Sequence, residues 1–140
     1  MARDSSLYVR RAVVSRLKAE AAVSALVADR VYGLSPPSTP AWPFVKMQPP
    51  TSIPLRATGL DGARIAFRVS GFAKGPDESE AAVLADAIAG CLDGLSVPLY
   101  DAPYSARLTD VRWLSTQIIR DPEESTGWHA FASFEATITS

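Results

Sequence analysis

Apolar residues recur at helical spacing near the start of the chain: Leu7, Val13, Val14, Leu17 and Ala21 share one side of a helical wheel, with Arg10, Arg11, Lys18 and Glu20 largely outside it. The pattern predicts an amphipathic helix over residues 5 to 20, capped by Ser5 or Ser6. An Ala-rich run from Glu20 to Ala28 continues as helix, with room for a bend, and Val31-Tyr32 then switches to residues that favour a first strand. Further on, Asp77 with Glu80 three positions later resembles a capping box. It opens a helix over 77 to 93 whose Ala81, Leu84, Ile88, Cys91, Leu92 and Leu95 form one apolar stripe, ended by Gly94.

Between and after these helices the period changes to two. Phe44 to Gln48 reads as a short strand. Ile65, Phe67 and Val69 alternate with Arg64, Ala66, Arg68 and Ser70, which predicts a strand with one face on a core and a basic opposite face. Residues 106 to 119 alternate imperfectly, which suggests either a bulge or a strand with both faces covered. In the last strand Trp128, Ala130, Ala132, Phe134, Ala136 and Ile138 share one face, and His129, Phe131, Ser133, Glu135 and Thr137 share the other. Asp121 to Gly127 is a turn-rich acidic hairpin connection. The Pro-rich stretches 33 to 43 and 49 to 62 read as irregular, the second longer than two neighbouring strands require. The order predicts an α+β fold: one domain over residues 1–140, with an antiparallel sheet of about four strands, two main helices packed on one face, and long Pro-rich loops.

Charge narrows the range of partners. With 14 Lys+Arg against 15 Asp+Glu, the chain has no strong pull toward nucleic acid or an anionic membrane. Eleven of those cations are arginines, whose forked guanidinium suits carboxylate pairing at protein interfaces. The single Cys91 allows no intrachain disulfide, and the Met1-to-Ser6 start lacks the apolar core of a secretory signal, so the expectation is a reducing, cytoplasmic origin. Apolar runs are interrupted well before about 18 residues, so no membrane-spanning helix is expected.

Candidate chemistry is thin. His129 has no nucleophile near it in sequence and reads as an exposed strand residue. Cys91 lies on an apolar stripe, where a thiol packs as a small hydrophobe. Asp77, Glu78 and Glu80 suit a helix first turn better than a metal, and the glycines around Gly71 lack phosphate-loop spacing. No enzyme activity, metal or cofactor is expected. Trp42, between prolines, reads either as a core anchor or as a partner contact. Arg64 and Arg68 are either solvated or paired with a neighbouring subunit's carboxylates, and Arg3, Arg10, Arg11 and Arg16 either form a plain polar helix face or meet an acidic partner.

Several segments in order carry a family resemblance: Asp29-Arg30-Val31-Tyr32, Trp42-Pro43-Phe44-Val45, Leu60-Asp61-Gly62 ahead of the strand Arg64 to Phe72, the Ala-rich helix ending Cys91-Leu92-Asp93, and the closing alternating strand. Together they resemble the tail completion, or tail terminator, proteins of long-tailed phages and gene-transfer-agent particles. The resemblance implies a virion structural protein forming a homo-oligomeric ring of about six copies. Such a ring caps the head-proximal end of the tail tube, ends tube growth and meets a neck or head-completion protein. Its assembly would take place in the host cytoplasm, and its final place would be the tail-neck junction of the particle. DNA would pass through the lumen without specific binding. On this reading the contacts with subunits or partners fall to Trp42, Ile53, Leu55, Arg56, Arg64 and Arg68, with the loops 33 to 43 and 49 to 62 docking on neighbouring rings. The alternatives are another neck component, an adaptor or stopper, or a small ligand- or peptide-binding α+β module, which a deep pocket lined by Trp42 and Trp113 would favour.

Overall fold

The computed structural model describes residues 4–33, 37–57 and 60–139, and is silent on the side chains of residues 55 to 61. Among the described residues three helices, α1 (Ser6–Ala19), α2 (Ala21–Val27) and α3 (Ser79–Leu92), accompany seven strands. The strands are β1 (Val31–Tyr32), β2 (Phe44–Met47), β3 (Thr51–Ala57), β4 (Leu60–Lys74), β5 (Val97–Pro98), β6 (Arg107–Arg120) and β7 (Gly127–Thr139). They form one sheet in the order β1-β2-β4-β7-β6-β5, with β3 pairing β4 beyond the end of β2. All pairings are antiparallel except β1 with β2.

The α+β class matches the expectation, and the strand count corrects it. The stretch 49 to 62, read as a loop because of its prolines and glycines, is largely a hairpin of β3 and the start of β4. Proline is tolerated there because β3 has a single strand partner, so a missing N–H on its outer side breaks no ladder. β1 stands where Val31-Tyr32 switches to strand-favouring residues, as expected, whereas β5 is two residues long, too short to show a period. The second helical run is a separate helix, since Glu20, at φ −82° and ψ 121°, breaks α1 from α2.

The helices cover the sheet face that carries Ile65, Phe67 and Val69 of β4 and Ala132, Phe134 and Ala136 of β7. From α1 come Val9, Val13 and Leu17, spaced four apart; α2 adds Val23 and Val27, and α3 adds Leu84, Ile88 and Leu92. Burying each such side chain contributes about 1.5–3 kcal/mol. Leu7, predicted on the stripe, is exposed, and Val9 takes its place. The predicted capping box does not form: α3 starts at Ser79, with Asp77 Oδ1 accepting the Ser79 backbone N–H at 3.0 Å. Beyond α3, Gly94 at φ +81° reverses the chain, a backbone conformation that disfavours a side chain.

Candidate subunit interface

Alternation along β4 and β7 leaves a second sheet face that no helix covers, and aromatic residues cross it. Phe44 of β2 stacks on Phe72 of β4 with centroids 4.4 Å apart, Phe72 stacks on His129 of β7 at 4.2 Å, and His129 meets the edge of Phe131 at 5.1 Å. The strand register sets this row, since Phe44 lies opposite Phe72 and Phe72 opposite His129. Trp42, joined to Pro43 by a cis peptide, lies edge-on to Phe44 at 5.4 Å and Phe72 at 5.7 Å. Arg68 lies 5.0 Å from the Phe131 ring and Lys74 5.4 Å from Trp42.

The expectation of an exposed His129 is therefore corrected. Its ring is half-buried between Phe72 and Phe131, and among the described residues its buried Nε2 has no hydrogen-bond partner. Burial pushes its pKa below the ordinary value; Lys46 and Arg68 act in the same direction, and Asp121 opposes them. Cys91 packs in the core as expected, and burial raises the pKa of its thiol. Among the described residues no group of three His, Cys, Asp or Glu side chains is placed to hold a metal ion.

The residues singled out from sequence are spread over this face and its edge. Arg64 makes an exposed ion pair with Glu135 at 3.4 Å. Ile53 lies opposite Arg64 in the β3–β4 ladder and is 56% exposed. Leu55 and Arg56 continue β3 along its backbone, and their side chains lie outside the described residues, as do Arg3 and residues 34 to 36 of the first Pro-rich connection. Among the described residues Trp42 and Trp113 line no common pocket: Trp42 packs on Phe44 and Phe72, whereas Trp113 lies on β6 beside α3.

Sequence reasoning missed the outer edge of β6. That edge is paired by β5 only at Arg107 and Leu108. Farther along, Gly94 N–H donates to the Val111 carbonyl at 2.7 Å, and the Trp113 N–H donates to Asp93 Oδ1 at 2.9 Å. From Leu114 to Arg120 no strand pairs this edge among the described residues. A groove of about 460 Å³ runs beside it, lined by Ala85, Asp86, Ala89 and Gly90 of α3 and by Trp113 and Ile118 of β6. The imperfect alternation of residues 106 to 119 was its one signal: register shifts separate Thr109 from Arg112 and Trp113 from Ser115.

Comparisons with known proteins bear separately on the fold and on the family. A solved structure described as the virion of a native gene transfer agent (GTA) particle matches with a TM-score of 0.75 and 22% identity, over 97% of this chain and 96% of that one. At that identity the likeness is one of fold. Curated protein sequences give no match. The family model described as Tail completion protein gp17 matches residues 11–139. The chain belongs to the tail completion protein family.

Proposed function

We propose that this protein is a structural component of a phage-type tail, built into the particle as a ring of about six copies. The ring caps the head-proximal end of the tail tube, stops its polymerisation and offers its other side to a neck or head-completion protein. The family match supports the tail role. One observation of the fold carries the ring: the two edges of the sheet are unlike and lie on opposite sides, β3 beyond β4 on one side and the partly open β6 on the other. Unlike edges join head to tail, and such heterologous contacts close into a ring or run on as a filament. A cap ends a stacking series because one of its axial faces matches the tube and the other does not.

The subunit contacts on this reading involve Ile53, Leu55 and Arg56 of β3 with Arg64 beside them, and Arg68 and Trp42 on the helix-free face. The lumen admits DNA without holding it. The test is negative-stain imaging of particles from a strain lacking this gene, beside the complemented strain. Tails of uncontrolled length next to unattached heads are expected. Normal, joined particles would remove the capping role.

A further inference from the structure

Consecutive residues of β3 point to opposite faces of the sheet, and two of them are apolar and exposed: Ile53, on the face of Arg64, and Pro54, on the face of Ala63. A lone hairpin strand that leaves apolar residues bare on both faces is only half packed. The unpaired stretch of β6 shows the same imbalance. On the helix-free face Ile119, opposite His129, is an exposed large hydrophobic residue; on the helix side the groove leaves Trp113 48% exposed.

From these features we infer that β3 of one copy lies along the unpaired Leu114–Arg120 stretch of β6 in the next copy, so that one sheet continues from subunit to subunit. This rests on the ring reading above and names the contact that closes it. In a continued sheet the faces stay in phase, so Ile53 meets Ile119 on the helix-free side and Pro54 enters the groove beside Trp113 and Ile118. Charge fits as well. Arg56 follows Pro54 by two residues in the sequence, and Asp86, which makes no ion pair among the described residues, lines the groove. The loop bonds from Gly94 and Asp93 close the first part of the β6 edge, which restricts pairing to the second part and fixes where an added strand starts.

The experiment is a cysteine pair, Ile53→Cys with Ile119→Cys, in particles oxidised and run without reductant. Within one copy the two positions lie three strand spacings apart, at least about 14 Å, too far for an internal disulfide. The double variant is expected to give a ladder of covalent multimers, and each single variant none; native Cys91 is buried and serves in both controls. Double variant present in particles without linkage overturns the contact. If the double variant does not enter particles, charge reversal decides. Asp86→Arg is expected to lower incorporation at least tenfold and Arg56→Asp to restore it in the double reversal; an unaffected Asp86→Arg, or no restoration, overturns the contact. Linkage reads the contact between copies and tail length reads capping, so either can fail alone.

Discussion

Phe72 and His129 stack face to face across β4 and β7, with centroids 4.2 Å apart and planes 18° apart, and among the described residues the buried His129 Nε2 finds no hydrogen-bond partner. An imidazole held this way resists protonation, and its pKa lies below the ordinary 6.5, first through burial and then through Lys46 and Arg68. The unfolded chain therefore binds a proton that the folded chain refuses. Stability from this site is fully present above the ordinary value and declines as pH falls through about 6.5 toward the folded value. Asp4, Asp77, Asp110 and Glu124, whose pKa values are lowered by hydrogen bonds, lose their contribution only in a more acid range. We expect thermal melts of the wild type to fall between about pH 7 and 5, and those of His129→Phe to stay nearly flat there. Parallel curves for the two proteins would sink this account.

Gly71 lies beneath Leu84 with no room for a methyl group: a Cβ there would stand 2.8 Å from Leu84 Cδ2 and 2.9 Å from its Cγ. Leu84 is buried in the core and has nowhere to swing. We expect Gly71→Ala to cost about 1–3 kcal/mol by overpacking. Leu84→Ala alone should cost about 2–5 kcal/mol through its cavity. Denaturant unfolding of the double variant checks the cause, because the added methyl occupies space that the leucine vacates and the double loss should fall short of the sum. Strict additivity would place the cost of Gly71→Ala elsewhere.

Legibility followed period length and locality. The face of β7 from Ala130 to Ile138 was readable because it alternates without interruption over a long strand. The three helices were readable from their apolar spacing, although Glu20 splits the first run in two. β3 was not, because Pro54 and the nearby glycines carry a turn signal that an edge strand overrides. His129 misled because alternation shows which residues share a face, and says nothing of whether other aromatics cover that face. Least readable was the closing of the β6 edge by Asp93 on Trp113, a bond between residues 20 apart that depends on where α3 ends. Ile53 and Arg64 could be singled out one by one in the sequence, but not their pairing opposite each other across β3 and β4, which depends on the register of a strand read as a loop.

Ala28 holds a conformation better suited to glycine. Its φ of 56° and ψ of −123° make it the first central residue of a type II′ turn, closed by Arg30 N–H donating to the Val27 carbonyl at 3.0 Å. A Cβ is strained there, and the position follows the end of α2, so glycine forfeits no helix interior. We expect Ala28→Gly to gain about 1 kcal/mol, seen as a raised urea midpoint with an unchanged slope. A lowered midpoint would show that the turn carries no strain.

Trp42 and Ile53 both stood out as contact residues, and the structure gives them different physics. Trp42 lies edge-on to Phe44 and Phe72 and beneath Lys74 within its own chain, and aromatic pairs of this kind are worth about 0.5–1.5 kcal/mol each beyond the area they bury. Ile53 is more than half exposed on a strand with a single partner, where truncation typically changes the stability of the free subunit by less than about 0.5 kcal/mol. Trp42→Ala should therefore cost the folded subunit about 1–3 kcal/mol in a thermal melt. Ile53→Ala should leave that melt nearly unchanged and weaken association of copies at least about tenfold, as an anchor buried at an interface does. Thermal melts of the subunit beside sedimentation of the assembled protein separate the two. If Ile53→Ala lowers the melt as far as Trp42→Ala while assembly per folded subunit stays normal, β3 belongs to the fold of one copy and the contact between copies must lie elsewhere.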